Sequence, residues 1–358
     1  MSPLLSHHIY PGLVLGGRFR LDVAVASGGM GEVWRATDLR GRVDHGPGGG
    51  RRVAVKILRS DLQSDTVFFH RLRAEATNLA ALDHPAIARF IEHGRDQSVD
   101  YLAMEFVPGV PLSRLAEGGC QPTEPTLPSS VATTQRSGRF TSIPRSLRRS
   151  SAVPDFDDDA VSHQPASGGI LTYARACHIL AITAQALAHA HARGVVHRDV
   201  KPDNILVQTH PNYDEVHVTD FGISLGSDAS NLTDPGRVMG TAEYMAPERV
   251  RGAASSPLTD MYALGVTAFE VVTGYRPYDG PNPVAIAMRH VSDPLPQLPA
   301  RVPRGLRNLI TALLDKDPHT RPHNAGAVAK KFAELAKADS LARPPAATSA
   351  ARSKEDTW

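Results

Sequence analysis

The run VVHRDVKPDNIL, Val195 to Leu206, followed by VTDFGIS at Val218 to Ser224, decides how the chain is read. Transfer of a phosphoryl group asks for few groups: a carboxylate to orient an attacking hydroxyl and accept its proton, metal ligands that bridge phosphates, and a cation to offset developing charge. Asp199 suits the first role, Asn204 and Asp220 the second, and Lys201 the third. Oxygen ligands from Asp and Asn, with no His or Cys, are the set Mg2+ prefers.

Working outward, VASGGMGEVW places a glycine-rich turn between Val25 and Val33, flanked by two strand patterns. Glycine amides without side chains let a backbone approach phosphate oxygens, although a plain hairpin carries the same signature. VAVK then puts Lys56 in a strand whose alternation turns it to the side of Ala54, facing a nucleotide. Lys56 needs an anion to hold it in an apolar cleft. Glu75, on the amphipathic run FFHRLRAEATNLAAL, is the glutamate between Lys56 and Glu92, so a Lys56–Glu75 ion pair is expected. Taken singly, such residues are commonly solvated surface groups.

HRDVKPDN, DFG, GTAEYMAPE and VAVK stand in the order of the protein kinase signature set, and the chain resembles the bacterial Hanks-type Ser/Thr kinases over about residues 12–335. The resemblance implies an α+β, bilobal kinase fold, with a β-rich N-lobe at 12–105 and a larger helical C-lobe at 106–335. It implies an ATP- and Mg2+-dependent enzyme acting on Ser/Thr hydroxyls of proteins. Asp199 would be the catalytic base, Lys201 would contact the transferring phosphate, and Asn204 and Asp220 would hold Mg2+. The nucleotide would meet Val25, Ala26, Ser27, Gly28, Gly29, Met30, Gly31, Glu32, Val33, Ala54, Lys56, Glu75, Met104, Glu105, Val107 and Leu206, with YLAMEFVPG as the hinge. Glu248 with Arg321 resembles the family's buried ion pair, and Asp260 the aspartate that braces the catalytic loop. Thr233 is the expected autophosphorylation site, with Ser227 and Ser230 as weaker candidates and Arg198 as the phosphate's partner. One residue departs from the pattern: Ala26 stands where the family's loop has its first glycine. Nucleotide affinity is then expected to shift modestly, provided φ is below zero there. The alternative is a pseudokinase that binds nucleotide or partners without catalysis, which the presence of Lys56, Asp199, Asn204 and Asp220 argues against.

Bulk properties bound the rest. With 358 residues, 39 basic against 37 acidic side chains and two separated cysteines, the chain predicts neither a nucleic-acid partner nor a disulfide or zinc framework. A reducing cytoplasm fits best. No secretory signal or membrane span is read, which suggests a soluble enzyme or a piece cut from a longer chain. His178, His189, His191 and His197 are read as packing or capping groups rather than metal ligands. The Gly/Pro-rich stretch at 41–52 reads as a turn between strands. Residues 118–168, rich in Ser, Thr, Pro and Gly, read as a disordered insertion whose RRSS at Arg148–Ser151 is a second modification candidate. Residues 1–11 and 336–358 are read as a leading segment and a flexible tail. A helix is predicted from about Tyr173 to Arg193, with Ile179, Ile182, Ala186 and His189 on one stripe and Gly194 at its end. A homodimer for autophosphorylation is expected from the resemblance alone.

Overall fold

The computed structural model describes residues 9–28, 31–40, 50–58, 78–97, 99–117, 120, 171–221 and 242–341. Glu75, Gly29, Met30, the phosphorylation candidates Ser227, Ser230 and Thr233, and nearly all of the 118–168 insertion lie outside them.

Alternating sequence builds the first half. Strands β1 (Val14–Leu15), β2 (Phe19–Gly28), β3 (Gly31–Asp38), β4 (Arg51–Leu58), β5 (Phe90–Asp96) and β6 (Val99–Glu105) form one antiparallel sheet in the order β1-β2-β3-β4-β6-β5. Period-two alternation gives β4 two apolar faces. Val53, Val55 and Ile57 join Phe19, Leu21, Trp34 and Tyr101 in one core, while Ala54 and Leu58 join Leu102 and Met104 in another. Lys56 shares the second face and is buried. Gly28 pairs with Gly31 where the β2–β3 hairpin turns. Gly31 has φ of 145°, and a Cβ there would lie 1.9 Å from the Ile57 carbonyl oxygen, so only glycine fits. Ala26 pairs with Val33. Among the described non-glycine residues, φ is positive only at Gln97, Arg198 and Asp220, so the Ala26 methyl is carried without backbone strain.

The second half is helical. Strand β7 (Val110–Pro111) leads into α1 (Leu112–Leu115), and α2 (Tyr173–His191) crosses the core. The Thr172 hydroxyl accepts from Arg175 N–H to cap α2, and Gly194, with φ of 73°, ends it. The helix is buried beyond the predicted stripe: Ile179 and Ala186 are fully buried, but so are Leu180, Ala184, Leu187 and Ala190. Strands β8 (Ile205–Thr209) and β9 (Asp214–Val218) complete a small sheet with β7. After α3 (Pro247–Val250) comes α4 (Pro257–Thr273), apolar nearly all round and buried accordingly. Helices α5 (Pro283–Ser292), α6 (Arg304–Leu313) and α7 (Ala325–Leu341) pack around it and α2. Helix α7 passes residue 335, where the sequence reading ended the domain. The two halves meet where Ile87 bridges Val218, with Ala88 N–H donating to the Val218 carbonyl. This sheet-over-helices arrangement is the bilobal α+β architecture expected from the sequence.

Candidate active site

Helix α4 fixes the loop that carries Asp199. The buried Asp260 carboxylate accepts from the N–H groups of His197 and Arg198, each at 2.8 Å, and from His191 Nε2 at 2.8 Å. His191 thus braces this aspartate, a role that helical spacing alone did not reveal. Arg198 is held at φ of 71°, a left-handed conformation that non-glycine residues adopt only where surrounding structure dictates it. His197 is fully buried, and its partners fix its tautomer. Asp199 N–H donates to Nδ1 at 3.2 Å, while Nε2–H donates to the Thr219 carbonyl at 2.9 Å. Burial holds its pKa below the ordinary histidine value, despite the carboxylates of Asp260, Asp199 and Asp220. The ring packs on Phe221 at 4.3 Å between centroids.

Asp199 itself is buried, and its two oxygens differ. Oδ2 accepts from Lys201 Nζ at 2.7 Å and from Asn204 Nδ2 at 2.9 Å. Oδ1 is buried with no hydrogen-bond partner among the described residues. A buried carboxylate oxygen without a donor is costly, and its presence marks a place built to receive one. Asn204 Nδ2 also donates to the Asp199 carbonyl at 2.8 Å, which leaves the side-chain oxygen of Asn204 as the acceptor of this amide.

Asp220 follows β9 with φ of 61° and meets Lys56 across the two halves, Nζ to Oδ2 at 3.0 Å. Burial opposes the charge on Asp220, but Lys56, with His197 and Lys201 nearby, holds the carboxyl below the usual carboxylate range. The sequence reading paired Lys56 with Glu75; the carboxylate it meets among the described residues is Asp220. Above Lys56 lie Ala54, Met104 and Val33, an apolar roof, with Val107 buried beside the hinge. Leu206 sits in β8 opposite Pro111 and is half-buried. Val25, Ala26 and Ser27 are exposed at the lip of the cleft. Asn204 and Asp220 supply side-chain oxygens, the donor type that suits a hard cation such as Mg2+.

Glu248 and Arg321 form the expected pair, with both Nη atoms 2.7 Å from the carboxylate oxygens. A second network went unread. Tyr262 on α4 bonds His290 Nδ1 at 2.9 Å, and His290 Nε2 bonds the Glu243 carbonyl at 2.9 Å. These residues lie far apart in sequence and leave no local pattern. His290 is fully buried, and burial, with Lys316 nearby, pushes its pKa down to about 4. Its folded value lies below the 6.5 of the free side chain, so the unfolded chain takes up this proton first as acid is added. The stability that neutral His290 contributes is therefore complete above pH 6.5 and is lost as pH falls toward 4, to about 3 kcal/mol. Urea midpoints measured across that window should fall in the wild type, and His290→Gln should flatten the slope.

The fold is that of a two-lobed domain of the protein kinase type. The protein kinase domain family matches residues 157–333, and the phosphotransferase enzyme family matches residues 37–222. The chain is 38% identical over 329 residues to serine/threonine-protein kinase PknA of Mycobacterium tuberculosis, covering 90% of this chain and 62% of the relative. It is 30% identical to PrkC of Bacillus subtilis over 87% of this chain and 39% of the relative, and 32% identical to PknB of Mycolicibacterium smegmatis over 87% and 42%. It therefore spans less than two thirds of the length of these relatives. The solved kinase domain of Mycobacterium tuberculosis PknI shares the fold, with a TM-score of 0.60 at 22% identity over 92% of this chain and 99% of that one. By these matches the chain is similar to the protein kinases, and among them to the bacterial Hanks-type serine/threonine kinases.

Proposed function

We propose that this protein transfers the γ-phosphate of ATP, with Mg2+, to Ser and Thr hydroxyls of proteins. The observation that carries the reading is the buried, unpartnered Oδ1 of Asp199. Lys201 and Asn204 occupy the other oxygen, so the carboxylate is fixed with one acceptor turned toward an incoming hydroxyl. As the hydroxyl oxygen bonds to the γ-phosphorus, its proton passes to Asp199 and the nucleoside diphosphate leaves. Lys201, at the same oxygen, lies where it offsets charge on the transferring group. Lys56 holds the outer phosphates. Asn204 and Asp220 would hold Mg2+, which would supply positive charge to offset that of the phosphates. The adenine lies under Val33, Ala54, Met104 and Leu206, against backbone groups of Glu105 and Val107.

The rest of the reading goes with it: a catalytic domain over about residues 12–335, a cytoplasmic site of action, autophosphorylation at Thr233 with Ser227 and Ser230 as lesser sites, and self-association for that step. No helix among the described residues is long and apolar enough to cross a membrane. Labelled ATP with Mg2+ and a generic basic protein is the direct test. Intact protein should label the acceptor, chelation of Mg2+ by EDTA should stop the reaction, and Lys56→Met should slow it on the order of 10²-fold. Labelling that persists in excess EDTA, or none by intact protein, contradicts the proposal.

A further inference from the structure

Helix α4 reaches two parts of the site from one stretch of backbone. Asp260 holds the loop of Asp199 through the N–H groups of His197 and Arg198. Two residues further on, the Tyr262 hydroxyl meets His290 of α5, and His290 meets the Glu243 carbonyl. Glu243 belongs to the turn Ala242–Tyr244. Tyr244, Met245 and Ala246 line a small cavity together with Arg198 and Asp199. This segment therefore borders the carboxylate that an acceptor hydroxyl has to reach.

We propose that His290 is a positioning residue for the protein acceptor: by joining Tyr262 to the Glu243 carbonyl, it sets the acceptor-side segment at a fixed height from Asp199. This rests on the kinase reading above. The partners dictate the form of the ring. A carbonyl only accepts, so Nε2 carries the hydrogen, and in the neutral ring Nδ1 accepts from Tyr262 O–H. Both nitrogens are used and the residue has no exposed surface. The backbone of His290 is clamped as well. Lys316 Nζ donates to its carbonyl at 2.6 Å and to Tyr278 Oη at 2.8 Å, and the Tyr278 ring stands edge-on to the imidazole at 4.8 Å. On the other side of the turn, the Glu243 side chain meets Arg276 Nη1 at 3.3 Å, and Tyr244 Oη donates to Glu270 at 2.5 Å. These hold side chains, whereas His290 holds the main chain. A link from α4 to the main chain of the turn fixes its height in a way that a surface side-chain pair does not. His290 touches neither nucleotide nor reacting atoms, so its loss should register in the acceptor and not in ATP.

Steady-state kinetics with Mg2+, ATP and one protein acceptor test this. His290→Phe keeps a ring of similar bulk and loses both hydrogen bonds; it should raise the KM for the protein acceptor about tenfold, with the KM for ATP changed less than about twofold. His290→Gln retains an N–H toward Glu243 and should recover most of the loss. Tyr262→Phe, which removes a single hydroxyl, serves if His290→Phe does not fold, and should move the acceptor KM in the same direction by a smaller factor. An acceptor KM unchanged in the variants that fold, or both KM values rising together, overturns the proposal. Wild-type protein that phosphorylates no acceptor overturns the kinase reading beneath it.

Discussion

Asp199→Asn should lower kcat for phosphoryl transfer by about 10²–10⁴-fold, with ATP still bound. The substitution keeps the shape of the side chain and removes the one property that the site is arranged around. In the wild type, Lys201 and Asn204 hold Oδ2, while Oδ1 is buried without a donor among the described residues. A carboxamide in that place cannot take the hydroxyl's proton, and its nitrogen must face either Lys201 and Asn204, which are donors themselves, or the incoming hydroxyl. Backbone bracing by Asp260 and His197 does not depend on the Asp199 charge, so the loop should keep its place. The loss should therefore fall on kcat and not on nucleotide affinity, the pattern of an interaction made in the transition state. Titration of ATP binding beside single-turnover kinetics checks both halves of this expectation.

The largest effect on stability is expected at Glu248. Arg321 has a side chain with 0% exposure, and its guanidinium meets both oxygens of Glu248. Carbonyls of Asp315 and Leu258 accept from the same guanidinium, and the Tyr262 ring lies 4.8 Å from it. Those carbonyls satisfy hydrogens without cancelling charge. Glu248→Ala leaves a buried cation with no anion, which costs about 3–5 kcal/mol. For a domain of this size the thermal midpoint should fall by roughly 10 °C. Lys331 and Glu334 on α7 form an exposed counterpart, with side chains more than half exposed, and Glu334→Ala should leave the midpoint almost unmoved. Thermal scans of the two variants side by side separate a buried pair from a surface one.

Which parts of this were legible beforehand depends on how local each signal is. The catalytic loop was readable because Asp199, Lys201 and Asn204 stand close together in the chain, and the DFG aspartate because its motif follows in the order of the family it resembles. The two faces of β4 were readable from alternation, and the C-terminal end of α2 from Gly194. The breadth of burial on α2 was not, because it depends on α4 and α7 covering it from opposite sides. The Asp220 partner of Lys56 was missed for the same reason: a strand lysine gives no hint of which distant carboxylate the fold will bring to it. Tyr262, His290 and Glu243 belong to three elements, and nothing in their local sequence marks them as one chain of hydrogen bonds. His191 shows the limit from the other side. Helical spacing set it apart from His189, yet could not point to the Asp260 carboxylate that it meets.

The most direct test of the central claim is to recover the labelled phosphate after reaction with Mg2+ and [γ-32P]ATP and to identify what carries it. Acid hydrolysis of the protein acceptor should yield phosphoserine and phosphothreonine, and Asp199→Asn should slow the formation of both by about 10²–10⁴-fold. Label found only as inorganic phosphate or on a small molecule, with none on protein hydroxyls, would contradict the account.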